Sequence, residues 1–550
     1  MQIGAAIGRE FSYELLAAVV PLEATPLQEA LTRLVASGLV YGRGTPPDAV
    51  YAFKHALVQD AAYETLLKSR RPELHARIAR VLENDFAETA ETQPELLAHH
   101  YAQAGLVAQA IAYRHRAGRQ ALARSAMIEA TTHLTHALEL LADAPPGAER
   151  DQQELEIRVA LGGALIAVRG YVAPEVGKNY GRARELCGTS VETPRLLPVL
   201  TGLYQYHRHS SGANAGREIA QELLRLAERH GDAAAIVMGH RLLGSSSVFC
   251  GNLASAVDHL DQADALYNPA DGVSPVFQAM TETRTALRTF IALVQLWQGY
   301  ADRALACGTE ALAAAYDLNH AYTLSHVLYL NCWLHQVRGE SHIVRDRASA
   351  MLPLTVEHNY PILLAHAKIL HGWAVAATGA PEAGLAQVRD GIGDERSLGM
   401  RLHLPCFLGL LAELLTKAGD WNEALAVLSE ALAIVGATGE RWFEPELHRL
   451  KAEALIASTP GDPAEAETSL GCALVVAREL GARFWELRAA TTLAKLRRDQ
   501  GRRREAGDLL APVYAWFTEG FDTPVLQAAK DLLDELARTT PGAEGFENKP

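Results

Sequence analysis

The chain has 550 residues, more than one hydrophobic core usually covers, so it is either several domains or an array that grows by repetition. Apolar residues make up 49% and charged residues 21%, a balance that suits a folded helical protein and excludes disorder over most of the length. The formal charge of −14 would repel a polyanion, so nucleic acid is excluded as the default partner.

The first segment, residues 1–91, has its own grammar. PLQEALTRLVASGLV, Pro26 to Val40, is an amphipathic helix that runs into an apolar strand-like end. YGRGTPPDAV supplies turn chemistry, Val50 to Phe53 reads as a returning strand, and His55 to Leu67 is helical again. A helix, one small β-hairpin and a helix make a winged-helix arrangement. The arginines Arg70, Arg71, Arg77 and Arg80 read as a solvated face.

From residue 92 the period is helical throughout. Leu97, Ala98, Tyr101, Gly105, Ala110 and Ala117 give a first helical hairpin, and DAPPGAE, Asp143 to Glu149, interrupts the array because Pro145 and Pro146 lack backbone donors. RGYVAP, Arg169 to Pro174, stands where a short turn is expected and reads as a lengthened loop. Leu196 to His230 forms another hairpin, and NPADGVSP, Asn268 to Pro275, marks a long loop. Residues 92–268 are therefore an irregular set of repeats and residues 269–538 a regular one. The tail, 539–550, lacks an apolar period and is expected to be disordered.

The clearest repeat is Leu411 to Leu432. Ala412 and Ala424 let two backbones approach, Leu415 and Leu428 fill the space between them, Gly419 turns the chain and Ala431 receives the next helix. The turn positions Gly299, Gly339, Gly379, Gly419 and Thr459 are each 40 residues apart. A hairpin that cannot bury its apolar face alone must stack on neighbours, so the expected fold is an all-α solenoid, a right-handed superhelix of helical hairpins.

Two stretches carry a family resemblance. IGAAIGREFSYELLAAV with FKHALVQDAAYETLL and SRRPELHARIARVLE, and the C-terminal FWELRAATTLAKLRRDQGRRREAGDLLAPVYAWFTEGFDTPVLQAAKDLLDEL, resemble the ends of bacterial STAND-type predicted ATPases. These carry an adenylate/guanylate cyclase or DNA-binding domain in front and tetratricopeptide-like repeats behind. The resemblance implies a winged-helix tail followed by a sensor array. It also implies that His55, in FKHALVQDAAY, matches the winged-helix histidine that reaches nucleotide phosphates; the competing reading is that His55 caps or packs the start of its helix. There is no GxxxxGK[ST], and a cyclase domain would lie upstream, so the chain is expected to be the C-terminal portion of a longer regulator or the product of a gene that has lost its front.

No catalytic site, metal site or cofactor is expected. None of the 21 histidines falls in HExxH, and His99, His100, His207 and His209 are not spaced to share a ligand. GxSxG is absent, and Gly244 to Ser247 lies within a helical hairpin. The run Lys495, Arg497, Arg498, Arg502, Arg503 and Arg504 reads as a solvated rim, and the six scattered cysteines as reduced core thiols. With neither a membrane span nor a secretory signal, the expected location is the cytoplasm.

The functional expectation is a non-catalytic protein-interaction and sensor module of a signalling regulator. It would hold a protein segment, a peptide or a small-molecule effector in the solenoid groove. The alternative is the sensor part of a nucleotide-driven STAND ATPase or cyclase whose catalytic domains lie upstream or on another chain. First helices of such hairpins line the concave face, and i, i+3, i+7, i+10 spacing selects His326, Tyr329, Trp333 and Gln336 on one helix and His366 and Trp373 on the next. These residues are the candidate groove, with packing between helices as the competing reading.

Overall fold

The computed structural model describes residues 1–188, 196–268, 282–459 and 461–538. The tail expected over 539–550, and all of the Asn268 to Pro275 loop except Asn268 itself, lie outside the described residues. Two compact units are present: residues 1–122 with 129–161, and residues 123–128 with 162–550.

The first unit carries a three-stranded antiparallel sheet in the order β1 (Glu10–Ser12), β3 (Val50–Phe53), β2 (Val40–Arg43). The expected hairpin pairs Val40 with Phe53 and Arg43 with Val50. The expectation of nothing but a hairpin is corrected by β1, which sets Phe11 opposite Tyr51. Three residues are too few for a period-2 alternation to show in sequence. What holds β1 is its one buried side chain: the Phe11 ring stacks on Tyr51 with centroids 5.9 Å apart, and a Cβ on Gly4 would lie only 2.8 Å from it. Ser12 then caps the following helix, Tyr13–Val19, by accepting from the Leu15 N–H at 3.1 Å. Leu16, Val19, Leu27, Leu31, Phe53, Ile78 and Leu82 close the core between sheet and helices.

Later in the first unit, Leu97, Ala98, Tyr101, Ala110 and Ala117 of the helices Pro94–Gln103 and Val107–Ala123 are all buried, as the repeat template requires.

The second unit is a run of antiparallel helix pairs. They include Leu196–Ser210 with Ala213–His230, Ala233–Phe249 with Leu253–Leu266, Thr283–Trp297 with Ala301–Asp317, and Ala321–Arg338 with Ser341–Glu357. Pro361–Ala377 with Pro381–Ser397 and Leu404–Ala418 with Trp421–Thr438 follow, and the run ends on the single helix Pro524–Arg538. Ala412, Leu415, Ala424, Leu428 and Ala431 are fully buried in the contact that the sequence assigns them.

The 40-residue register has a backbone cause. Gly299, Gly339, Gly379 and Gly419 adopt φ of 101°, 85°, 119° and 89°. The next N–H in each case reaches back to a carbonyl of the finished helix, as Asp420 does to Leu415 at 3.0 Å and Glu340 to His335 at 2.9 Å. This left-handed closure satisfies the last carbonyls and reverses the chain. Thr459 keeps the position but not the geometry: its φ is −133° and its hydroxyl donates back to the Leu455 carbonyl at 2.9 Å. A second series, not seen in the sequence, turns the chain between repeats at Asn319, Asn359, Gly399 and Gly439, also at positive φ and also at 40-residue intervals.

Within this unit the superhelix closes on itself. The Asp302 and Arg303 N–H groups donate to Glu519 Oε1 at 3.0 and 3.1 Å, and the Gly520 N–H donates to Asp302 Oδ2 at 3.1 Å, contacts that span 216–218 residues. The Arg441 N–H donates to the Phe249 carbonyl at 2.9 Å. Trp297 stacks on Trp442 with centroids 4.7 Å apart. Successive turns of the solenoid therefore rest on one another.

Candidate functional site

Closure encloses the first helix of each pair. Ala233–Phe249 and Ala321–Arg338 are buried on nearly every side, so polar residues on them must find partners inside the protein or carry a desolvation cost. The helices Leu196–Ser210, Ala233–Phe249, Thr283–Trp297 and Ala321–Arg338 face one another around a cavity of about 30 Å³. Its walls include Tyr204, Gln205, Arg208, Arg241, Tyr322 and His326, and Tyr171 from the lengthened loop.

The wall is ordered by a hydrogen-bond network. Tyr204 Oη lies 3.1 Å from the Leu242 carbonyl, 2.9 Å from Ser245 Oγ and 3.0 Å from Ser246 Oγ, and it accepts from Arg208 Nη1 at 3.2 Å. His209 Nδ1–H donates to the Gln205 carbonyl at 2.7 Å, which leaves Nε2 to accept from Arg208 Nη2 at 3.4 Å. Tyr171 stacks flat on the His209 ring with centroids 3.8 Å apart, and its hydroxyl lies 2.9 Å from that of Tyr322. Burial, aided by the Arg208 and Arg241 charges, pushes His326 down to about 3, so its imidazole is neutral at physiological pH.

Arg208 and Arg241 are 7% and 5% exposed, and among the described residues no carboxylate lies within the 4 Å of an ion pair with either. Arg208 instead lies over the Tyr204 and Phe249 rings, and Arg241 donates to Met238 Sδ at 2.9 Å. Arg208 Nε, Arg241 Nε, Gln205 Oε1 and His326 Nδ1 are buried without a hydrogen-bond partner. Burial pushes the Arg241 guanidinium down to about 10. The other deeply buried arginines are paired: Arg338 with Glu340 at 3.0 Å and Arg449 with Glu446 at 2.7 Å.

The expected groove residues lie along the same interior. His326 is part of the cavity wall, and Tyr329 stacks on His366 with centroids 4.3 Å apart. His366 Nε2 meets Glu395 Oε1 at 2.5 Å. Trp333 sits among Phe407, Trp442 and Phe443, Gln336 is buried, and Trp373 Nε1–H donates to Glu413 Oε2 at 2.9 Å. Tyr329 thus lies between the two histidines, stacked on His366 and tilted against His326 with centroids 6.4 Å apart, whereas no ring contact joins the two tryptophans. Tyr329, Trp333, Gln336, His366 and Trp373 are buried, and His326 is half-buried. Beside them, Glu440 accepts from Trp442 Nε1–H at 2.8 Å and from the His403 N–H at 3.0 and 3.1 Å. Burial pushes its carboxyl up to about 7.

Elsewhere, His55 is exposed at the N-cap of Ala56–Glu64, and its side chain makes no capping bond. Arg70, Arg77 and Arg80 are exposed, whereas Arg71 departs from the expected solvated face. It lies over the Tyr63 ring and donates to the carbonyls of Leu66, Tyr63 and Glu64, closing that helix. In the basic run, Arg498 pairs with Asp499 and Glu535, and Arg502 with Glu467 and Glu505. Cys307, Cys332 and Cys406 are buried, but Cys472 is exposed, so the reading of all six as core thiols is corrected there.

Three histidines do come together in the first unit. His75, from Arg71–Asp85, places a ring nitrogen within 4.8 Å of ring nitrogens of His99 and His100. Sequence spacing could not show this, because His75 arrives from another helix. His75 Nδ1 and His100 Nδ1 are 2.8 Å apart and share a proton, and His75 Nε2 is bonded to Tyr63 Oη at 2.9 Å. His100 Nε2 is buried without a hydrogen-bond partner.

No known family profile matches the chain. A relative from Rhizobium meliloti (strain 1021), the uncharacterized protein R02095, is 25% identical over 509 residues, 90% of this chain and 48% of that protein. The chain thus spans about half the length of this curated relative. Among solved structures, it is similar to the APC/C heterotetramer Cut9–Hcn1 (12% identity, TM-score 0.41, 88% of this chain and 94% of that one). Another is a Rap protein complexed with competence and sporulation factor (10%, TM-score 0.38, 78% and 99%). A third is a STAND protein with a tetratricopeptide repeat sensor from Pyrococcus horikoshii (11%, TM-score 0.33, 87% and 63%).

Proposed function

We propose that this chain is a non-catalytic sensor and protein-interaction module of a bacterial, cytoplasmic signalling regulator, with its effector held inside the closed solenoid. The observation that carries this reading is the cavity whose polar wall is drawn from consecutive helix pairs and from the Tyr171 loop. A ligand there touches several repeats at once and stabilises their stacking, which changes the outer surface that a protein or peptide partner meets. His326, Tyr329, Trp333, Gln336, His366 and Trp373 form the face that transmits occupancy along the interior. Hydrogen exchange of the full chain, with and without a small-molecule extract of bacterial cells, tests this. Protection of Leu196–Ser210, Ala233–Phe249 and Ala321–Arg338 is expected; unchanged exchange in all of them defeats the reading.

A second reading makes the chain the C-terminal sensor of a nucleotide-driven STAND ATPase or cyclase. It is favoured by the greater length of the Rhizobium meliloti relative and by the order helix, strand, two helices and hairpin in the first unit, the order expected of a winged-helix tail. In that reading His55, exposed beside the hairpin, reaches a nucleotide held by another domain. Exposure suits such a reach. Photo-crosslinking from position 55 to an ATP analogue on a co-expressed upstream domain distinguishes it from the first.

A further inference from the structure

We propose that the interior cavity is a binding site for a small oxyanion, a carboxylate or phosphate group, gripped between Arg208 and Arg241. This rests on the cavity being the effector site and names the chemistry of what enters it.

The argument begins from charge. Two guanidinium groups more than nine-tenths buried face one cavity, and among the described residues neither has an ion-paired carboxylate. The carboxylate that acts on Arg241 is Glu282, whose oxygens cap the next helix by accepting from the Arg284 and Thr285 N–H groups at 2.9 and 2.8 Å, and Arg208 acts at longer range on the buried Glu440, whose oxygens are taken up by the Trp442 and His403 N–H groups. An uncompensated buried cation is costly, and this protein otherwise avoids it, as the Arg338–Glu340 and Arg449–Glu446 pairs show. Two such cations side by side repel each other as well. An anion between them removes both penalties.

The donor inventory specifies an oxyanion. Arg208 Nε and Arg241 Nε are unpartnered, and guanidinium geometry matches carboxylate or phosphate oxygens. When Tyr171 and Tyr322 share one hydroxyl proton across their 2.9 Å contact, the other O–H remains free to donate. The space of about 30 Å³ is roughly one water's share of liquid volume, so an oxyanion enters only as the lining side chains shift outward, and a peptide or a nucleotide is excluded.

Thermal unfolding and calorimetry of the full chain, in potassium phosphate, acetate, succinate or chloride at equal ionic strength, test the proposal. Phosphate or a carboxylate is expected to raise the unfolding midpoint saturably over chloride, and the arm that does so identifies the source. Arg208→Met and Arg241→Met should each weaken that binding at least tenfold, with Arg241→Lys retaining part of it. With chloride alone, Arg241→Met should unfold no earlier than wild type, because it removes an unpaired charge. Where a methionine variant does not fold, Tyr322→Phe, expected to weaken binding severalfold, takes its place. The proposal is overturned if no oxyanion acts beyond chloride, or if binding survives undiminished in the variants. Extract-induced protection without any oxyanion effect would remove the ligand class and leave the effector cavity standing; absence of both would remove both.

Discussion

The backbone N–H of Arg441 donates to the carbonyl oxygen of Phe249 at 2.9 Å, joining helix pairs that a linear stack of repeats would hold far apart. A solenoid with only neighbour contacts unfolds in segments, whereas one whose turns rest on each other gains long-range cooperativity. Gly212 is the sharpest probe of this closure. Its φ is 103°, and a Cβ there would lie 2.7 Å from the Thr438 carbonyl oxygen on the facing turn. Gly419 has a similar φ of 89° but open space around it. Gly419→Ala should therefore cost only left-handed strain, about 1–2 kcal/mol. Gly212→Ala should cost that and a further amount of about 1–3 kcal/mol for overpacking. Urea unfolding midpoints compare them, and equal losses would mean that the facing turn yields freely.

The turns between repeats offer a second test. Asn359 sits at φ 52°, and the following N–H, that of Tyr360, donates back to the Thr355 carbonyl at 2.9 Å. Asn359→Gly should leave stability unchanged or slightly raised. Asn359→Val, β-branched and ill-suited to positive φ, should lower it by about 1–2 kcal/mol in thermal unfolding.

These turns also show what the sequence could and could not reveal. The hairpin register was legible because glycine at positive φ leaves a chemical mark every 40 residues, at Gly299, Gly339, Gly379 and Gly419. The second series mixes Asn319 and Asn359 with Gly399 and Gly439, so its common geometry is hidden behind two residue types. The cavity is less visible still. Tyr171, Arg208, Arg241 and His326 are distant in the chain and meet only because the superhelix closes, and no local period encodes closure. What the sequence did offer was an anomaly: an aromatic residue in a loop longer than a turn requires. Helical periodicity places the candidate groove residues on one face of each helix but says nothing about whether the next turn covers them.

Glu440 makes stability depend on pH in a definite direction. Its folded pKa is raised to about 7 from the ordinary 4.5, with burial as the cause and the Trp442 and His403 N–H donors opposing it. Between those values the native state holds a proton that the unfolded chain releases, so this group's contribution is full below pH 4.5 and is lost as pH rises through 7. The loss amounts to about 3 kcal/mol at most. Glu440→Gln cannot titrate. Measured against wild type by urea unfolding at intervals from pH 4.5 to 8, its relative stability should climb with pH and level off above 7. A flat difference would show that Glu440 ionises as an ordinary surface carboxylate does.

Trp333 and Trp373 recur one period apart yet are held by different forces, and that difference separates a packing role from a role in effector binding. Trp333 is 2% exposed and encircled by Phe407, Trp442 and Phe443, with centroid distances of 5.8, 5.4 and 5.8 Å. Trp442 in turn stacks on Trp297, so the Trp333 ring props the contact between turns of the superhelix. Trp333→Ala should then cost about 3–5 kcal/mol through the cavity it opens. Trp373 instead donates to Glu413, whose other oxygen accepts from Lys417 at 2.6 Å. Trp373→Phe keeps the ring and deletes one bond to a charged acceptor, a loss of about 1.5–3 kcal/mol. Trp333→Phe preserves the aromatic contacts and should fold, which makes it the decisive variant. If the interior face transmits effector occupancy, Trp333→Phe should bind the effector as wild type does but show reduced protection in helices beyond Ala321–Arg338 by hydrogen exchange. Protection identical to wild type along the whole solenoid would confine Trp333 to holding the turns together.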